Sequence, residues 1–120
     1  MKVAVTSQGK ELSSQVDPRF GRAKYFIEID TDSGEFIAHD NSQGLNASQG
    51  AGIQAGQNVI DLAIEAVITG NVGPKAFRTL QAGNVKIYIG ATGTVQNAVE
   101  QFKAGILQEA KQANVEGHWM

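Results

Sequence analysis

The chemically capable residues of this 120-residue chain are cations and glycines gathered in short runs. Asp17-Pro18-Arg19-Phe20-Gly21-Arg22 places an aromatic ring between two arginines. Gly50-Ala51-Gly52 and Gly70-Asn71-Val72-Gly73-Pro74-Lys75 each stand at the start of a helix-forming stretch, as does Gly90-Ala91-Thr92-Gly93. Glycine lets a ligand approach the backbone closely. The first turn of a helix adds unpaired N–H groups and the positive end of its dipole. With Arg19, Arg22, Lys24 and Lys75 beside them, these turns describe a cradle for a small anion. The competing reading is that the glycines only make the turns. Phe20 has a competing reading too, as an apolar plug that closes its loop onto the sheet.

Other chemistries find fewer residues to work with. There is no cysteine, which excludes disulfides, thiolate nucleophiles and all-cysteine metal or iron–sulfur sites. His39 and His118 are the two histidines. A single strand-end histidine such as His39 is more simply a surface or packed residue than a metal ligand. Asp17, Asp30, Asp32, Asp40 and Asp61 are scattered, with Asp30 and Asp32 placed to solvate a hairpin turn. A two-metal nuclease needs carboxylates on adjacent strand centres, and those centres are apolar here. No serine sits on a G-x-S-x-G elbow. Gly50 to Gly56 reads G-x-G-x-x-x-G but follows a third strand and does not open a βαβ unit. Gly70 to Lys75 lacks both the P-loop spacing and its Ser/Thr. The expectation is a binding protein, not an enzyme. A net charge of −2 argues against a duplex-binding surface, which needs a strongly basic face.

The elements that must position these loops are legible from periodicity. Hydrophobic residues make up 42% of the chain and charged residues 18%, so it should fold as one domain over residues 1–120. Residues 2–6, 25–29 and 35–39 read as strands, the last two forming a hairpin about Ser33-Gly34. A helix starts near Ala51 and carries Ile53, Val59, Ile60, Ala63 and Ile64 on one face. Residues 66–69 form a fourth strand. Pro74 opens a helix that runs through Phe77 and Leu80 to Gly83. Residues 85–89 form a fifth strand, and Thr94 caps a helix bearing Val95, Ala98, Val99 and Phe102. Glu100 to Glu109 reads as a solvated helix face, and the last dozen residues trail over the surface. No basic-then-apolar leader and no long apolar span is present, so a soluble cytoplasmic protein is expected.

The order β-β-β-α-β-α-β-α predicts an α/β fold with a mixed five-stranded sheet whose second strand is antiparallel. Loops 7–23, 40–52, 70–74 and 90–94 then share one edge, where ligands of open α/β sheets bind. Three helices begin there.

Val16 to Ala23, Tyr25-Phe26, Gly50-Ala51-Gly52, Thr69 to Phe77 and Gly93-Thr94-Val95 occur in an order and spacing that resemble the dinitrogenase iron–molybdenum cofactor biosynthesis family. The similarity extends to the tail, Asn114 to Met120. It is closest to the short, stand-alone, cysteine-free members of the orange-protein type. The resemblance implies a ribonuclease-H-like three-layer sandwich. It also implies a carrier of a molybdenum-containing metal–sulfur cluster, either iron–molybdenum cofactor precursor or molybdenum–copper sulfide. The absence of cysteine removes thiolate ligation of an iron cluster. A compact sulfide-rich anion would instead be held by helix N-termini, Arg19 and Arg22, with Phe20 and Val72 as an apolar wall. Gly21, Gly50, Gly52, Asn71, Gly73 and Lys75 complete the expected cofactor-binding set, and His39 is the one candidate metal ligand. The expected partners are the cluster, or another small anion, and unidentified donor or recipient proteins, with no nucleic acid and no membrane. The alternative is a metal-free regulatory or interaction module of the same fold.

Overall fold

A computed structural model describes residues 1–42 and 50–115. The strands are β1 (Lys2–Ser7), β2 (Tyr25–Asp30), β3 (Phe36–Asp40), β4 (Ala66–Ile68), β5 (Lys86–Ile89) and β6 (Gln108–Glu109). The helices are α1 (Ala51–Asp61), α2 (Pro74–Ala82) and α3 (Val95–Lys103). The sheet order is β3-β2-β1-β4-β5-β6. β1 pairs antiparallel with β2 and parallel with β4; β2–β3 and β5–β6 are antiparallel, and β4–β5 is parallel.

Among the described residues the sheet therefore has six strands, not the expected five. β6 pairs Tyr88 with Glu109 and Ile89 with Gln108. A two-residue strand is too short to show the alternation by which strands are read from sequence. The described part of the tail, up to Val115, does not trail either. The N–H of Ala110 donates to the Ile87 carbonyl at 2.7 Å, and Ala113 and Val115 pack against the core. The solvated helix face expected from Glu100 to Glu109 stops at Lys103. Ala104 caps α3, and Glu109 belongs to β6.

Alternation along the strands sorts side chains into two apolar layers. Ala4, Phe26, Val67 and Ile87 join Ala55, Val59, Ala76, Phe77 and Leu80 of α1 and α2 on one face. Val3, Val5, Ile27, Ile29, Ala66 and Ile68 join Val95, Ala98 and Val99 of α3 on the other. Three layers result, with β4 and all of β1 after Lys2 buried. Among the described residues no helix is long and apolar enough to cross a membrane.

The helix and hairpin ends have local causes. α1 ends before the expected Ile64 because Ala63 turns to a positive φ of 59°. The β2–β3 turn is held by the Asp30 carboxylate, which accepts the N–H groups of Asp32 (2.8 Å) and Ser33 (3.3 Å). Those two bonds hold Asp30 below the usual carboxylate pKa.

Candidate functional site

β1, β3, β4 and β5 run in one direction, so their C-terminal ends and the start of β2 lie along one edge. The strand order turns around between β1 and β4, the usual place for a crevice in such sheets. Here the crevice is stitched by buried hydroxyls. Thr6 Oγ1 donates to the Asp17 carbonyl at 2.7 Å and lies 2.8 Å from Thr69 Oγ1. Each hydroxyl has a single proton, so Thr69 must donate to Thr6. The N–H of Asp17 closes the pair onto the Thr6 carbonyl at 2.9 Å.

From this anchor the chain crosses to the loop after β4. Arg19 and Asn71 form an isolated parallel bridge. The N–H of Asn71 donates to the Pro18 carbonyl at 2.8 Å, and that of Phe20 to the Asn71 carbonyl at 3.3 Å. Asn71 Nδ2 also reaches the Pro18 carbonyl, at 3.2 Å. Asp17, which is buried, accepts the N–H of Arg19 at 3.0 Å, and its Oδ1 lies 3.6 Å from Arg19 Nε. Arg19 is thus tethered at its base, with its side chain 49% exposed. On the other flank Gly21 meets the first turn of α1. A Cβ on Gly21 would lie 2.7 Å from the nitrogen of Gly52, so only glycine allows this approach. Gly50, at φ 115°, is the α1 N-cap. The Asp17–Arg22 loop therefore lies between the N-terminal ends of α1 and α2, both on the same face of the sheet.

Among the described residues no side chain caps α1 or α2. Gly73 is the N-cap of α2, with Pro74 at its start and the exposed Lys75 in its first turn. α3 differs from what the sequence suggests. The N–H groups of Val95 and Gln96 donate to the carbonyls of Ser14 and Leu12, both at 2.9 Å. That of Asn97 goes to Thr94 Oγ1 at 3.1 Å, within a capping box. Among the described residues the mouths of α1 and α2 have no side-chain cap, whereas the third is filled by the chain itself.

The apolar wall expected of Phe20 and Val72 is corrected by burial. Both are 0% exposed, and Phe20 stacks on Phe26 with ring centroids 5.5 Å apart. They support the loops from beneath and offer no surface to a ligand. His39 points away from the edge. It pairs with Phe26 across the β2–β3 ladder, but its Nε2 lies 2.9 Å from Glu28 Oε1, two residues further from the loops. Lys2 Nζ sits 3.5 Å from the other oxygen of Glu28. Arg22 and Lys24 are both exposed. His118 and residues 43–49 of the expected 40–52 loop lie outside the described residues.

Two asparagines do work that the sequence reading missed. Asn41 is buried at the end of β3 and donates through Nδ2 to the Ala23 carbonyl at 2.8 Å, holding the far end of the arginine loop. Its Oδ1 is buried without a partner among the described residues. Asn114 clasps the Asn71–Val72 turn from the tail. The available signal was an asparagine directly after an apolar strand in one case, and one inside Ala113-Asn114-Val115 in the other. At the same edge Asp40 is held below the usual carboxylate pKa by the N–H and hydroxyl of Ser42, opposed by some desolvation and helped by Lys10.

Among the described residues no three His, Asp or Glu side chains gather as a metal site, and the chain has no cysteine. The edge offers cations and N–H donors, which suit an anion that already carries its own metal ligands.

The apo form of the orange protein from Desulfovibrio gigas superposes with a TM-score of 0.92 and 38% identity, covering 95% of this chain and 96% of that one. A Thermotoga protein of the DUF35 family, described as a candidate NifB protein, gives 0.83 and 41%, covering 97% and 98%. An uncharacterised protein of Methanocaldococcus jannaschii is 24% identical over 111 residues, 91% of each chain. The sequence model described as "Dinitrogenase iron-molybdenum cofactor" matches residues 1–105, and the chain belongs to that family.

Proposed function

We propose that this protein holds a molybdenum-containing metal–sulfur cluster at the loop edge without covalent attachment and passes it to another protein. It is a carrier and not an enzyme. The cluster is cargo, of the iron–molybdenum cofactor precursor or molybdenum–copper sulfide type, and it brings its own sulfide ligands. The observation that carries this reading is the loop of Arg19 to Arg22 set between the mouths of α1 and α2, which no described side chain caps, in a cysteine-free chain. Family membership supports a metal-cluster role. Likeness to a protein solved in an apo form supports the idea that something is carried.

In this reading Arg19 supplies charge-assisted donors, its base fixed by Asp17. Arg22 and Lys75 add positive charge on either side, and the helix mouths supply N–H groups. Replacing Arg19 and Arg22 together by alanine should weaken tetrathiomolybdate binding roughly tenfold to a hundredfold, since bonds to charged groups contribute about 1.5–3 kcal/mol. The fold should survive, because both side chains are at the surface. Unchanged affinity in the folded double variant would remove the arginine loop from the site.

A further inference from the structure

We propose that Asn114 is a positioning residue of the loop edge. From the C-terminal tail it sets the Asn71–Val72 turn and, through Asn71, the Pro18–Arg19 segment. The inference rests on the reading of that edge as the cargo site.

Asn114 grips a single turn with three hydrogen bonds. Its Oδ1 accepts the Val72 N–H at 2.7 Å, its own N–H donates to the Val72 carbonyl at 3.1 Å, and its Nδ2 donates to Asn71 Oδ1 at 2.9 Å. Both sides of the amide are used, one as acceptor and one as donor, which fixes its orientation. Every polar group of Asn71 then has a partner within the loop edge. Its N–H and Nδ2 go to the Pro18 carbonyl, its carbonyl accepts from Phe20, and its Oδ1 is taken by Asn114. Asn71 therefore contributes to the edge by where it holds its neighbours.

The consequences fall on both arms of the cradle. Val72 precedes the α2 N-cap Gly73, so the tail sets how the first turn of α2 faces the edge. Pro18 precedes Arg19, so the same contact sets the root of that arginine. The tail can bear this load because it is anchored on both sides of Asn114. Ala110 bonds to β5, and Ala113 and Val115 pack on the core.

The test uses the full chain with Asn114→Ala and Asn114→Asp, and Gln112→Ala as a control on the same tail. Amide exchange at Val72 and Phe20 is read by NMR, and tetrathiomolybdate affinity is read alongside it. In N114A both amides should exchange about tenfold faster while those of Val3 to Val5 stay protected. Tetrathiomolybdate should bind several-fold more weakly, and more weakly still to N114D, which keeps the acceptor for Val72 but adds negative charge and loses the donor to Asn71. Q112A should match the parent. Should N114A fail to fold, N114D is read at Phe20, because its retained acceptor keeps the Val72 N–H bonded, and parental exchange at Phe20 overturns the proposal. Parental exchange at Val72 in N114A, or faster exchange with unchanged affinity, overturns the proposal. Faster exchange in a protein whose parent binds no tetrathiomolybdate leaves the loop-setting role standing and removes the cargo reading instead.

Discussion

Arg19 shows how a residue that looks free in sequence is shaped by its neighbours. Asp17 takes the Arg19 N–H into a tight turn and lies beside the guanidinium, leaving the outer half of the side chain to solvent. Arg19 and the Thr94 cap could be read from type and spacing, because their partners Asp17 and Asn97 are a few residues away. Asn41 and Asn114 could not, because their partners lie far along the chain and only the fold brings them together. Asn41→Ala should strip the Ala23 carbonyl of its buried donor and destabilise the protein by about 1–3 kcal/mol, seen as a lowered midpoint in denaturant. A midpoint equal to the parent's would show that the Asn41 bond contributes nothing. His39→Ala should leave tetrathiomolybdate binding unchanged, since the imidazole is turned toward Glu28. A loss of binding on that change would return His39 to the site.

At the scale of elements, the long periodic stretches were legible and the short or tertiary ones were not. The apolar faces of α1, α2 and α3 and the runs of β1, β2 and β5 carry their own pattern. β6 exists only because the tail meets β5, and the α3 mouth is filled only because residues 12 and 14 reach it. Gly21→Ala should force the arginine loop off the first turn of α1, at a cost of about 1–3 kcal/mol and with weakened anion binding. Equal stability and affinity would mean that the contact yields freely. The ends of β2 and β3 give a pH signature. Asp30 and Asp40 are both lowered from their ordinary pKa by bonds to their ionised forms. Their contribution is therefore complete above the usual carboxylate range and is lost as pH falls through their lowered values. Carboxyl NMR titration should place both below ordinary aspartate. Ser42→Ala should move Asp40, and not Asp30, upward.

At the scale of the molecule, the order of elements dictated most of the architecture. A hairpin followed by βα units forces the C-terminal ends of β1, β3, β4 and β5 to one edge, and the distinctive loops with them. What could not be read was how that edge is finished: Val72 sinks beneath it, Phe20 takes the plug position that was one of its two readings, the chain occupies one helix mouth, and the tail locks another loop. The result is a local cationic edge on a chain of net charge −2. The most direct test of the carrier reading is anaerobic titration of the purified protein with tetrathiomolybdate, with and without Cu(I), followed by desalting and metal analysis. Retained colour with molybdenum in stoichiometric amount is the predicted result. A colourless, molybdenum-free protein after desalting would contradict it and leave the same fold as a metal-free interaction module.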